Sequence, residues 1–184
     1  MTSGMEITKE IATALTFGIR TDTLGFTRSF NELDLKALSW LREWVDWNLL
    51  RSFESPPRSK EVLEIFRLAL NELETYDNLM LVPIRNLANR DALSQVADFL
   101  LPSEGVEIVV TYGVRRNKII LSARSSNQEI NIGTILESSF DEGRAGGHKV
   151  MAGGQIPFED INASNDDEAM ENIREILKKI FLGV

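Results

Sequence analysis

Residues 106–125 read Val106-Glu107-Ile108-Val109-Val110-Thr111-Tyr112-Gly113-Val114-Arg115-Arg116-Asn117-Lys118-Ile119-Ile120-Leu121-Ser122-Ala123-Arg124-Ser125. The run from Val106 to Tyr112 is rich in β-branched residues, and Lys118 to Ala123 is a second apolar run. Such runs fit a pleated surface buried on at least one side. Between them Gly113 to Asn117 reads as a turn, a little longer than the two-residue ideal, so the stretch predicts a β-hairpin.

Helices and further strands are expected on both sides of that hairpin. Upstream, Val62, Ile65, Phe66, Leu70 and Leu73 recur at helical spacing, Leu79 to Ile84 reads as a strand, and Asp91 to Leu100 as a helix. Downstream come a short helix from Ile130 to Phe140, a glycine-rich turn from Gly143 to Gly154 and a strand from Gln155 to Phe158. The last helix carries Asp166, Asp167 and Glu168 in its first turn and Lys178 and Lys179 in its last, an order that complements the helix macrodipole. Its buried face is expected to be Ile173, Ile176, Leu177, Ile180 and Phe181. The fold class read from this pattern is α/β, a mixed β-sheet flanked by helices and preceded by a helical lead-in.

That lead-in starts with a helical pattern from Glu6 to Leu15, running into Phe17-Gly18-Ile19-Arg20-Thr21-Asp22-Thr23. A second helix opens at Asp34 as its N-cap. Leu38, Leu41, Val45 and Leu49 form one stripe on it, and Trp40, Trp44 and Trp47 another. A helix apolar on two faces is sandwiched between layers or meets a partner, so homodimerisation through the tryptophans is one reading. Pro56-Pro57 cannot continue a helix and favours an extended spacer. The expected domain division is therefore 1–55 and 56–184. At the start, Met1-Thr2-Ser3-Gly4-Met5 reads either as an added leader before a second start or as a native terminus.

Composition narrows the function. Among 184 residues there is no cysteine and a single histidine, His148. Thiolate chemistry is excluded, and so is any site needing two imidazoles from this chain. The formal charge of −8 argues against a broad nucleic-acid surface, which needs a basic excess. One local basic pocket for a phosphorylated ligand remains compatible with it. No stretch approaches a membrane span and no signal pattern opens the chain, so no membrane partner and a cytoplasmic location are expected.

Gly143, Gly146, Gly147, Gly153 and Gly154 flank Arg144, His148 and Lys149. Glycine lets backbone amides approach a ligand closely, and successive N–H groups make an anion-binding concavity. A helix beginning near Gly147 would add its N-terminal dipole, and His148 would donate a hydrogen bond to phosphate. The alternative is a glycine loop with an incidental histidine. Arg124, between Ser122 and Ser125, suits a bidentate grip on phosphate or carboxylate, or else a salt bridge at the rim. Arg115, Arg116 and Lys118 read as a solvated turn. Asp22 reads as an oxygen ligand for a divalent cation or as the cap of the following turn.

Taken together, three stretches resemble the DHH phosphoesterase superfamily, which includes RecJ-like exonucleases, oligoribonucleases that dephosphorylate pAp, cyclic dinucleotide phosphodiesterases, exopolyphosphatase-related proteins and pyrophosphatases. Thr13-Ala14-Leu15 through Phe17–Thr23 and on to Phe26 is similar to the last block of the catalytic DHH domain. Leu121–Ser125 is similar to a strand motif of the DHHA1 domain. Ala145-Gly146-Gly147-His148, followed by Met151–Gly154, is similar to that domain's glycine–histidine signature.

The resemblance implies roles for particular residues. Asp22 matches an aspartate that ligates the catalytic metals. Arg124, Gly146, Gly147 and His148 match residues that hold the substrate's phosphate or terminal nucleotide, and Ser122 and Ser125 flank that arginine. It also implies two Mn²⁺ ions that activate a water to attack phosphorus. The Asp-His-His block and earlier aspartates of the family are missing from this sequence, and Ala145 stands where a first glycine is common. Residues 1–55 then correspond to the end of a DHH domain and its connecting helix, and 56–184 to a DHHA1 domain. The implied function is the substrate-binding portion of a manganese-dependent phosphoesterase, inactive alone, acting on nucleotides, short single-stranded oligonucleotides or related phosphorylated small molecules. A stand-alone, non-catalytic phosphate-binding or dimerisation module is the alternative.

Overall fold

A computed structural model describes residues 6–23, 25–27, 30–85, 87 and 89–183. The possible leader at residues 1–5 lies outside them. The chain divides into two compact units, Met1–Arg58 and Ser59–Val184.

Among its described residues the first unit holds three helices, α1 (Lys9–Asp22), α2 (Glu32–Leu41) and α3 (Trp47–Glu54). α1 is capped by the Thr8 side chain and continues through Asp22, so the segment after Leu15 is helix. Where the spacing predicts one helix from Asp34 to Leu49, the structure has two. Asn31 caps α2, with Asp34 completing a capping box from inside the first turn, a pairing that satisfies two otherwise orphaned N–H groups. Asp46 then starts α3. Its carboxylate accepts the N–H groups of Asn48 and Leu49, each at 3.0 Å, while its own N–H donates to Thr13 Oγ1 at 2.9 Å. This restart turns Leu50 inward, beside Ala12, Leu41 and Val45, and leaves Leu49, Trp40 and Trp47 exposed.

The second unit is an α/β domain of mixed strand direction. Its elements are α4 (Lys60–Glu72), β1 (Glu74–Tyr76), β2 (Leu79–Pro83), α5 (Asp91–Leu100), β3 (Ile108–Arg115), β4 (Lys118–Ser125), α6 (Ile132–Ser139), β5 (Ala145–Gly147), β6 (Met151–Pro157), a 3₁₀ segment (Phe158–Ile161) and α7 (Asp166–Leu182). The six strands lie in the order β1-β2-β3-β4-β6-β5. Only β2 and β3 pair in parallel, with α5 as the crossover that a parallel connection requires.

Each sheet face buries its own core. Ile108, Val110 and Tyr112 of β3 and Ile119, Leu121 and Ala123 of β4 pack with Ile132 and Leu136 of α6 and Ile173 and Leu177 of α7. The alternate residues Met80, Val82 and Val109 pack with α4 and α5. Side chains alternate across a strand, which is why β2 and most of β3 are buried on both faces.

Three sequence expectations change here. The β3–β4 turn has two residues, Arg116 and Asn117, both at positive φ, and not the longer loop from Gly113. Gly113 lies within β3, paired with Ile120, and is glycine there because Ile84 O would sit 2.5 Å from a Cβ, while Ile84 N–H donates to Tyr112 O at 2.7 Å. β1 appears as an edge strand where no strand is predicted. The glycine-rich stretch is a hairpin, β5 and β6, with Gly146 opposite Gly153, and no helix begins near Gly147.

Candidate phosphate-binding site

α5 packs on β3 and β4, and the neighbouring strands β6 and β5 complete that edge of the sheet. A cleft of about 780 Å³ opens there. Its floor is β4, β6 and β5, and the first turn of α5 contributes Asp91 and Ser94 to its wall.

Strand periodicity decides which β4 side chains reach it. Lys118, Ile120, Ser122 and Arg124 alternate along β4 and all line the cleft. Ser125, one position on, is buried. Its hydroxyl donates to Asn127 O and accepts from Asn127 N–H, both at 3.1 Å, and it does not line the cleft.

Arg124 is fixed before any ligand arrives. Its Nε donates to Asp98 Oδ1 at 2.6 Å and its Nη1 to Ser122 Oγ at 2.9 Å and Ala123 O at 3.1 Å. Ser122 is in turn 3.3 Å from Ser94 Oγ on α5. The Arg124 side chain is only 13% exposed while that of Asp98 is 61% exposed, so the carboxylate stays largely hydrated, and Arg124 lines the cleft. An arginine fork held this way loses little freedom when it meets a second anion.

The glycine hairpin supplies the rest of the floor. Gly147 has φ of +156° and Met151 O would lie 2.5 Å from a Cβ, so no side chain fits. α6 anchors the same turn. Ile132 N–H donates to Lys149 O at 3.0 Å, and Gly133 lies so close that Gly147 O would be 2.5 Å from its Cβ. β5 is an edge of the sheet, and an edge strand keeps a row of unpaired backbone groups. His148 is exposed at the hairpin tip, its N–H donating to Met151 O at 2.7 Å, and its side chain does not line the cleft.

Charge in the cleft opposes the charge of the chain. Arg90, Lys118, Arg124 and Arg144 line it against one carboxylate, Asp91, in a protein of net charge −8. Arg144 is held by Asp160 at 2.7 Å. A second recess in this unit, of about 460 Å³, contains Arg85 and Arg174, but Glu72, Glu74, Asp167 and Glu171 line it with them, so its carboxylates outnumber its cations. Within this unit, then, the cleft by Arg124 is the better anion site.

Asp22, the last residue of α1, is exposed in the first unit. Among the described residues no group of three or more His, Cys, Asp or Glu is placed to hold a metal ion. The described residues therefore do not make the dinuclear site that the resemblance implies. Ser122, Arg124, Gly146 and Gly147 meet in one cleft, and Asp22, Ser125 and His148 do not line it. Sequence reasoning passed over Lys118, although its period-two relation to Ser122 and Arg124 marks the shared face. Arg90 and Ser94 carried no such signal, because the crossover alone brings α5 there.

Residues 77–181 match the DHHA1 domain. The chain belongs to the DHHA1 family. This DHHA1 chain is 35% identical over 172 residues to an uncharacterized protein of Methanocaldococcus jannaschii, covering 93% of this chain and 35% of that protein. It thus spans about a third of the length of that relative. Its fold is similar to the crystal structure of an exopolyphosphatase-related protein from Bacteroides fragilis, with a TM-score of 0.75 at 21% identity, over 94% of this chain and 51% of that one. A pGpG-specific phosphodiesterase from Vibrio also matches, with a TM-score of 0.43 at 16% identity, over 92% of this chain and 58% of that one. Among the described residues no helix is long and apolar enough to cross a membrane.

Proposed function

We propose that this DHHA1 domain is the substrate-binding portion of a DHH-type phosphoesterase and grips a phosphate group of a nucleotide, a short oligonucleotide or a related phosphorylated molecule. The observation that carries this reading is Arg124, nearly buried, lining a cationic cleft and braced by Asp98 and Ser122. Charge-assisted hydrogen bonds to phosphate are about twice as strong as neutral ones. A guanidinium already oriented also positions the ligand.

In this reading Arg124 neutralises the phosphate, Ser122 fixes the fork, and the glycine hairpin lets the backbone come close. Ser125 braces the end of β4 from within the domain, and His148 reaches a ligand extending past the hairpin tip. The manganese implied by the resemblance has no ligand set among the described residues. Asp22 is proposed to contribute to a site completed by other residues, and the chain alone is proposed to be inactive. A cytoplasmic setting belongs to the same proposal. So does pairing of two copies, for which the exposed Trp40 and Trp47 are the support.

Backbone amide mapping tests the site. Titration with adenosine 3′,5′-bisphosphate should shift the amides of Gly146, Gly147 and Gly153 and the Arg124 Nε–H. Shifts confined to the neighbourhood of Arg85 and Arg174 would reject this placement.

A further inference from the structure

Tyr112 is the largest of the fully buried side chains, at 1% exposure. Its hydroxyl nevertheless makes no hydrogen bond to any described residue. The neighbouring Tyr76 does have a partner, its hydroxyl donating to Glu74. A buried polar group left unpaired costs stability, and buried polar groups are paired almost throughout native proteins. Tyr112 therefore points to an occupant that the described residues do not supply.

The recess of about 460 Å³ that holds Arg85 and Arg174 is where that hydroxyl lies. Glu74, Arg174 and Glu171 act electrostatically on the phenol, and all three line the recess with Tyr112. Burial pushes the phenol above its ordinary range, so it stays a neutral hydroxyl whose lone pairs can accept. Pro83 and Tyr112 are the last pair of the parallel β2–β3 ladder, and α/β sheets bind ligands beyond the carboxyl ends of parallel strands.

Charge decides the kind of occupant. Arg85 bridges Glu72 at 3.2 Å and Asp167 at 3.1 Å, and Arg174 bridges Glu74 at 3.2 Å and Glu171 at 2.5 Å. Each pair of carboxylates thus keeps one negative charge beyond its arginine. Among the described residues no three acidic side chains converge to hold a metal ion, so the two surplus charges suit a longer organic cation. Pro83 and Met170 add apolar lining, and the volume is that of a small-molecule site.

We propose that this recess binds a small aliphatic diamine. One ammonium donates to the Tyr112 hydroxyl and to Glu74 and Glu171, the other meets Glu72 and Asp167, and the methylenes rest on Pro83 and Met170. An ammonium is a compact charge with three donors, which matches a phenol oxygen beside two carboxylates. The site is separate from the Arg124 cleft and opposite to it in charge.

Calorimetric titration of the whole chain with 1,4-diaminobutane tests this, with butylamine and magnesium chloride as comparison probes. The diamine should bind saturably and more tightly than butylamine, and magnesium at the same concentration should not displace it. Tyr112→Phe should weaken the diamine about three- to tenfold while its melting temperature holds or rises, since the free protein loses no hydrogen bond. Glu171→Gln should weaken it about three- to fivefold, and Arg124→Ala, in the other cleft, should leave it unchanged. Absence of saturable binding up to about 10 mM, equal affinity for butylamine, displacement by magnesium, or full affinity in Tyr112→Phe overturns the proposal. A lower melting temperature in Tyr112→Phe also overturns it, because the hydroxyl would then have its partner within the protein.

Discussion

Gly147→Ala and Gly143→Ala make the same chemical change in two different surroundings. At Gly143 φ is +77° and a Cβ would meet nothing within 4 Å, so the cost is backbone strain alone, about 1–2 kcal/mol. At Gly147 φ is +156°, and the added carbon would lie 2.5 Å from Met151 O and 2.6 Å from Ala152 Cα. Both obstacles are backbone, so no side chain can turn aside. Strain of roughly 1–3 kcal/mol then adds to an overpacking cost of roughly 1–3 kcal/mol. A total of about 2–6 kcal/mol is expected.

For a domain of this size each kcal/mol lowers the melting temperature by roughly 3 °C. Thermal unfolding followed by circular dichroism should thus show Gly147→Ala lower by about 6–18 °C and Gly143→Ala by about 3–6 °C. Gly133 meets the same turn from α6, so Gly133→Ala should also be severe, and the double variant less than additive. If Gly147→Ala melts within the range expected for Gly143→Ala, the hairpin is not packed as described and the floor of the cleft is wrong.

Two further outcomes follow from the second unit. Glu168 accepts a hydrogen bond from Ser164 N–H at 2.8 Å, and chiefly for that reason its carboxyl lies below its ordinary range. A lowered folded-state pKa gives stability that is present at neutral pH and lost as pH falls through that pKa. Glu168→Gln should therefore be less stable than wild type at pH 7 with the gap closing in acid, and a constant gap in pH-dependent melting would contradict the contact. Ile173 is fully buried on α7, so Ile173→Ala should cost about 2–5 kcal/mol in urea unfolding, and a loss below about 1 kcal/mol would place it outside the core.

The C-terminal fold was legible where local pattern and tertiary position agree. α5 runs from Asp91 to Leu100, as its helical spacing predicts, and β2 and α7 fall where apolar runs and end charges put them. Agreement failed where a contact distant in sequence decides. Gly113 looks like a turn residue, and only the close backbone of Ile84 explains why a strand position holds glycine. The long tryptophan helix breaks because Asp46 is held by Thr13, thirty-three residues earlier.

The glycine stretch shows the same limit at the site. Its composition marks a backbone that must come close to something, but in the structure part of that closeness serves packing on α6. Ser122 and Arg124 were visible together because period-two alternation puts them on one face. The brace from Asp98 needs α5 to be in place, and nothing in the spacing of twenty-six residues reveals it.

Arg124 is the central claim, a phosphate grip that costs the fold little to remove. Calorimetry with adenosine 3′,5′-bisphosphate should show Arg124→Ala binding about 10- to 150-fold more weakly, the loss of one charge-assisted contact of roughly 1.5–3 kcal/mol. Melting should move little, because the freed Asp98 is mostly in water. Unchanged affinity in a folded Arg124→Ala protein would contradict the account.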